Sequence, residues 1–400
     1  MSTTNTPAYN NATAMLPTPF YVVYEDRLRA NLDLITSVAR EAGVTIIMAF
    51  KANALWRTFP ISREYGVRCT ASSLNELQLG VEELHTRVHS YCPAYTPLTI
   101  GAYLAGSSHI TFNSLNQWHR FKADLQAHNS AHPEATVSAG LRVNPQCSVI
   151  ETDIYNPALP GSRFGVVADD LSEGLPDGIE GLHFHALCES TSFDLEKVLA
   201  AFEAQFGHLL PRLKWVNFGG GHLMTRQGYD TAHLIGLLKS FRHRHPNLEV
   251  ILEPGSAFTW RTGDLMASVV DVVENQGVRT AILDVSFACH MPDTLEMPYK
   301  PTVTERLSDE EVAAMNPADV YTYRFGGNSC LSGDFMGDWR FDHELREGER
   351  LTLEDMNHYT TVKTNMFNGI SHPDIVFVDH NGTPSVLRHF SYADYKNRMS

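Results

Sequence analysis

Basic residues are scarce in this sequence. Lys and Arg number 31 against 46 Asp and Glu, and the formal net charge is −15. Sequence-independent binding to nucleic acid needs clustered cations to neutralise phosphates, so no nucleic-acid partner is expected. An acidic surface serves solubility first, and it also favours a cationic small molecule as partner. Cysteine is thinly spread: Cys69, Cys92, Cys147, Cys188, Cys289 and Cys330 form no CxxC pair and no Cys/His spacing that would hold zinc. Reduced thiols in a cytoplasmic protein, with no metal, are the expectation. No window approaches the roughly 18 consecutive apolar residues of a membrane span. Residues 1–15 have neither the positive start nor the apolar run of a signal peptide. Dinucleotide (GxGxxG) and P-loop (GK[ST]) signatures are missing, as are internal repeats of solenoid period and low-complexity tracts.

What is present is ample apolar material, 43% of 400 residues, enough for more than one domain. Residues 1–15, rich in Ser, Thr, Asn and Ala, read as a flexible arm. Residues 16–40 read as a strand at Phe20–Tyr24 and an amphipathic helix from Glu25 to Glu41, the strand joining the C-terminal β domain. Over 41–255 strands and helices alternate. Val44 to Phe50 is a short buried strand, and Leu74 to Leu84 is helical. His109–Phe112 and Val137–Val143 are strands flanking a helix from Ser114 to Ala127. Gly181–His185, Trp215–Phe218 and Leu248–Leu252 are further strands, with helices at Asp194–Phe206 and Thr231–Arg242. That alternation implies a parallel sheet. Polar or glycine-rich residues at several strand tips favour a closed (β/α)8 TIM-like barrel over an open doubly wound sheet, because a barrel gathers such tips on one face. Over 256–400 strand-like runs (Leu265–Val273, Thr280–Phe287, Asp374–Val378) lack regular helices between them and suggest a mostly antiparallel β domain. The expected fold class is therefore α/β, a parallel barrel plus a C-terminal mostly antiparallel β domain.

Several strand tips carry residue types suited to chemistry, and each has a plainer reading. Lys51 closes an apolar run and could form a Schiff base, or be an ordinary solvated lysine. Gly219-Gly220-Gly221 follows a strand and could present amides to a phosphate, or only make a tight turn. Glu253 of Glu253-Pro254-Gly255 could hold a pyridine nitrogen protonated, or serve as a turn carboxylate. His183 and His185 lie two apart on one strand and share a face. A metal would need a third ligand that the sequence does not offer, whereas His185 could stack on an aromatic cofactor or sit in the core. Cys330, in the glycine-rich loop Gly326 to Asp334, could donate a proton to a carbanion or be inert. Tyr359 could bind a phosphate or merely pack.

Taken in order, Lys51, His185, the glycine triplet, Glu253-Pro254-Gly255, Cys330 and Tyr359 before Phe367-Asn368-Gly369 make a set. In that order the sequence resembles the barrel-fold decarboxylases that use pyridoxal 5′-phosphate (PLP), a group with alanine racemase-like and ornithine or diaminopimelate decarboxylase members. Within it the likeness is to the carboxynorspermidine/carboxyspermidine decarboxylase family. The marks are Pro17-Thr18-Pro19-Phe20-Tyr21, Leu187-Cys188-Glu189 after Phe184-His185, His222 after the triplet, His290-Met291-Pro292-Asp293, Leu295 to Tyr299, Ser329-Cys330-Leu331 through Asp334, and Val362-Lys363-Thr364. They extend from about residue 17 to Phe390-Ser391-Tyr392.

The resemblance implies a PLP-dependent amino-acid decarboxylase (carboxy-lyase) of polyamine, including spermidine, biosynthesis. Lys51 would carry the cofactor, His185 would stack on it and Glu253 would pair with its ring nitrogen. Gly219, Gly220, Gly221, Gly255 and Tyr359 would bind it. Cys330 would protonate Cα once CO2 leaves, and Glu189, Asp284, Asp293, Glu296 and Asp334 would receive the cationic substrate. It further implies a homodimer in which Cys330 and Asp334 reach the neighbouring subunit's site. Ala186, Ser256, Thr364-Asn365-Met366 and Ala52-Asn53 depart from the family pattern, so another metabolite bearing an aminocarboxypropyl group, or a diaminopimelate-like amino acid, is an alternative substrate. The rival activities are a PLP racemase, which releases no CO2, a non-catalytic PLP-binding protein and a metabolite-binding protein without PLP.

Overall fold

A computed structural model describes residues 13–297 and 299–400. The proposed arm at 1–15 lies outside the described residues as far as position 12, as does Pro298. The chain divides into two compact units: Ala30–Phe258, and Thr259–Ser400 together with the N-terminal segment up to Arg29.

The first unit is a parallel barrel. Its sheet runs Thr45–Ile46, Glu249–Leu252, Trp215–Asn217, Gly181–His183, Ser138–Arg142, Ser107–Phe112, Val88–Tyr91, Cys69–Ala71, Met48–Ala49. The first and last of these nine segments are two halves of one run, separated only by Ile47. Thr45–Ile46 pairs with Glu249–Leu252 and Met48–Ala49 with Cys69–Ala71, so a single strand closes the ring. Helices Leu74–Glu82, Leu115–Ala131, Ser192–Phe206 and Thr231–Arg244 open at Ser73, Ser114, Thr191 and Asp230, whose side chains accept the free backbone N–H groups of the first turn.

Strands Cys69–Ala71 and Val88–Tyr91 were not legible as strands. They carry no apolar run, because Thr70, His89 and Ser90 are themselves buried. The strand expected to reach His185 ends at His183. The barrel interior is filled by large side chains set against glycine. A Cβ on Gly181 would lie 2.0 Å from Trp215 Cε2, and one on Gly140 2.2 Å from Trp215 Cη2. Both strand glycines thus make room for one indole, which packs with Ile47 and Ile251 and donates Nε1–H to Ser138 Oγ at 2.8 Å.

The second unit is a mixed sheet, mostly antiparallel. Its order is Phe335–Phe341, Tyr321–Gly326, Val278–Leu283, Gly263–Asn275, Phe20–Tyr24, Asp374–Val378, Pro384–Arg388, with Arg350–Leu353 also on Gly263–Asn275. Two pairings are parallel, Phe20–Tyr24 with Asp374–Val378 and Val278–Leu283 with Tyr321–Gly326. Phe325 and Trp339 stack at 4.3 Å within a core that includes Tyr21, Leu265, Leu283, Phe341 and Leu353. The strand expected over Thr280–Phe287 stops at Leu283. Ser286 caps a helical turn at Phe287–His290 by accepting Cys289 N–H at 3.0 Å.

Candidate active site

In the barrel unit the expected residues gather where strands end. Lys51 follows Met48–Ala49, His185 follows Gly181–His183, the glycine triplet follows Trp215–Asn217, and Glu253 follows Glu249–Leu252. These are the C-terminal ends of parallel strands, the face where barrel active sites form.

His185 sits at the centre. Its Nδ1 accepts the Gly220 N–H at 2.8 Å, and its Nε2 lies 3.4 Å from Lys51 Nζ. Burial, with Lys51 and Arg142 nearby, holds this imidazole far below its ordinary pKa and therefore neutral. Lys51 opens to solvent but is ringed by protein at depth. Loss of bulk hydration, then the Arg142 guanidinium, lower its pKa against the opposing pull of Glu253.

Glu253 is the anion of the site. Asn217 Nδ2 donates to its Oε1 at 2.7 Å, and His183 Nε2 lies 3.3 Å from its Oε2. Burial alone would raise its pKa, but His183, the Asn217 amide and Lys51 outweigh that and hold it ionised. Burial lowers the pKa of His183, against the pull of the Glu253 carboxylate beside it. Among the described residues no group of three His, Cys, Asp or Glu could hold a metal ion.

The glycine triplet lies flat against its neighbours. A Cβ on Gly219 would fall 2.4 Å from the Phe184 carbonyl oxygen, one on Gly220 2.6 Å from that of Glu253, and one on Gly221 2.4 Å from that of Leu187. Gly219 and Gly221 also adopt φ of +69° and +92°, where side chains are strained. Two of the amides have partners already, since Gly219 N–H donates to Asn217 Oδ1 at 2.8 Å and Gly220 N–H to His185. Gly255 packs behind Lys51: a Cβ there would meet Ala52 Cβ at 2.5 Å. Glu189 is exposed, with φ of 45°.

Arg142 and Asn217 were missed. Arg142 ends the strand Ser138–Arg142, is buried, and lies over the Tyr91 and Phe164 rings at 4.7 and 4.5 Å. It donates to the His185 carbonyl at 3.2 Å. Both are polar residues at strand tips, the signal that singled out Lys51, and the same signal would have found them.

The remaining expected residues belong to the sheet unit. Cys330 is exposed, and its N–H donates to Asn368 Oδ1 at 2.8 Å. Asp334 is buried and pins that loop: its carboxylate accepts Ala288 N–H at 3.0 Å and the Ser329 hydroxyl at 2.5 Å. Asp293 and Glu296 share a helical turn, and both already bind Lys363. Asp284 accepts Ser268 N–H at 2.8 Å. Tyr359 adopts φ of 54°.

The barrel donor set fits PLP. A lysine of lowered pKa suits its aldehyde, an ionised carboxylate suits its pyridine nitrogen, and a neutral imidazole with a side-chain-free glycine run leaves room for a ring and a phosphate. The family model for "Pyridoxal-dependent decarboxylase, C-terminal sheet domain" matches residues 20–357, which makes the class that of PLP-dependent decarboxylases. A carboxyaminopropylagmatine decarboxylase from Synechocystis sp. is 45% identical, covering 98% of this chain and 97% of its own. A carboxynorspermidine/carboxyspermidine decarboxylase from Campylobacter jejuni is 40% identical, covering 96% and 98%. The crystal structure of the carboxynorspermidine decarboxylase from C. jejuni, complexed with norspermidine, superposes with a TM-score of 0.85 over 96% of this chain and all (100%) of that one. Diaminopimelate decarboxylase from Helicobacter pylori, 17% identical with a TM-score of 0.76, shares the fold. The chain belongs to the carboxynorspermidine/carboxyspermidine decarboxylase family within that class. Among its described residues no helix is long and apolar enough to cross a membrane.

Proposed function

We propose that this enzyme removes CO2 from an aminocarboxypropyl group borne by a cationic amine, yielding a polyamine or an aminopropylated agmatine. One observation carries the reading. Relatives at 45% and 40% identity over nearly the whole chain are named for substrates that share this reacting end and differ in the rest of the arm. Carboxyaminopropylagmatine is the first candidate on that ranking, and carboxynorspermidine or carboxyspermidine the second.

The residues divide the work as follows. PLP, when bound, supplies an electron sink for the pair left on Cα as CO2 departs. Lys51 presents the amine that holds the cofactor. Glu253, kept ionised by Asn217 and by the neighbouring His183, holds a proton at the ring nitrogen. His185 offers a neutral face, which puts no competing charge beside the reacting centre. Arg142 keeps a fixed positive charge where a carboxylate must be received. Cys330 delivers the proton to Cα, and Asp334 shapes the loop that carries it. Asp293 and Glu296 together exceed the charge of Lys363 by one and leave a net anion for a substrate cation.

Cys330 serves the site of a second copy of the chain. Its loop is exposed and flanked by apolar side chains, Leu331 at 45%, Phe335 at 42% and Phe367 at 48% exposure, a composition that suits burial in a homodimer.

The test is CO2 release from PLP-loaded protein given carboxyaminopropylagmatine, carboxynorspermidine, carboxyspermidine, diaminopimelate and ornithine in parallel, with Lys51→Ala as control. Preference of at least about tenfold in kcat/KM for one of the first three is expected, a margin near 1.4 kcal/mol. Turnover confined to diaminopimelate or ornithine would sink the proposal, as would turnover by Lys51→Ala.

A further inference from the structure

The hydrogen bonds around His185 determine more than its place in the site. The Gly220 N–H donates to Nδ1 at 2.8 Å, so that nitrogen is an acceptor. A neutral imidazole has one acceptor and one donor nitrogen, so Nε2 carries the proton. Nε2 faces Lys51 Nζ at 3.4 Å. An ammonium there would set N–H against N–H. An amine with its lone pair toward Nε2–H completes the contact instead. Arg142 adds to the effect: its guanidinium is held by the Tyr91 and Phe164 rings and by the His185 carbonyl, so it cannot swing away from a second positive charge.

We propose that His185, its tautomer set by the Gly220 amide, keeps Lys51 as an uncharged amine poised to condense with the aldehyde of PLP. This rests on Lys51 being the lysine that takes the cofactor. Condensation requires the lone pair. The nitrogen bonds to the aldehyde carbon, and the carbonyl oxygen leaves as water with both amine protons. The His185 contact disfavours the ammonium form before the cofactor arrives, and the amine turns its lone pair from Nε2–H to the aldehyde carbon as the new bond forms, a role separate from stacking on the cofactor. Burial and then Arg142 lower the pKa of Lys51 against the opposing pull of Glu253, Cys188 and Glu76, in agreement with the geometry.

The experiment is competitive labelling of the full-length apoprotein with trace acetic anhydride across pH, read by mass spectrometry at Lys51 and at an added Nα-acetyl-lysine amide standard. The Lys51 midpoint is expected at least about one pH unit below that of the standard, and His185→Phe, which keeps a ring but loses the donor, is expected to raise it by about one unit. The wild-type measurement needs no variant to fold, and a Lys51 midpoint equal to that of the standard overturns the proposal. In ¹⁵N spectra of the wild type, His185 is expected to be protonated at Nε2, and protonation at Nδ1 overturns it. Borohydride reduction of PLP-loaded protein separates the two levels. An adduct at Lys51 with an unshifted midpoint refutes the His185 role alone, whereas an adduct at another lysine refutes the site assignment beneath it.

Discussion

Glu253 illustrates how a single side chain obtains its chemistry from neighbours. Buried and alone it would take up a proton and be unable to serve the proposed pairing with a pyridinium. Asn217 at 2.7 Å and His183 at 3.3 Å prevent this. Glu253→Gln removes the charge while keeping the shape. Turnover is expected to fall by about 10²-fold with PLP still bound, the scale on which electrostatic stabilisation of a developing charge acts. An unchanged kcat would remove the ring-nitrogen role. At this scale the sequence was informative but incomplete. Strand-tip logic singled out Lys51, Glu253 and the triplet, which stand together at the strand ends, and passed over Arg142 and Asn217, which stand beside them. Polar strand tips are common, and only closure of the barrel shows which ones converge.

Among the elements, the barrel strands show why short, glycine-containing segments belong to a packed interior. Gly140 and Gly181 lie on adjacent strands, and the Trp215 ring occupies the space above both. Ala at position 181 would place its Cβ 2.0 Å from the indole, against a rigid ring rather than the loose end of a flexible chain. Gly181→Ala is expected to cost about 2–3 kcal/mol by overpacking, visible as a lower urea midpoint followed by tryptophan fluorescence. A midpoint equal to the wild type would show that the layer yields freely. Helix positions were easier to read than these strands. Ser73, Ser114, Thr191 and Asp230 announce helix starts locally, whereas the Cys69–Ala71 and Val88–Tyr91 strands are defined only by their partners.

For the whole molecule the proposal that Cys330 serves a second copy makes each site the work of two chains. If Cys330 completes the partner's site, Lys51→Ala and Cys330→Ala fall together in one site of a mixed dimer, and the other site of each mixed dimer is intact. Mixing the two variants under conditions of subunit exchange is expected to restore up to about a quarter of wild-type CO2 release, the share random reassortment allows in a two-fold dimer. Activity no greater than the average of the two variants would place Cys330 in its own chain's site or outside any site.

The sequence by itself determined the alternation of strands and helices in the barrel apart from Cys69–Ala71 and Val88–Tyr91, the strand-rich character after residue 256 and the order of the family's marks. Each of these is carried by local pattern and residue type. Only the tertiary structure decided that Thr45–Ile46 and Met48–Ala49 close one ring, and that Phe20–Tyr24 pairs with Gly263–Asn275 and Asp374–Val378. It alone put Arg142 over two aromatic rings and gave His185 its tautomer through Gly220. Those features depend on backbone groups and side chains far apart in the chain. Hydrogen-bond direction and burial, which set their charge states, exist only once the strands have closed around them.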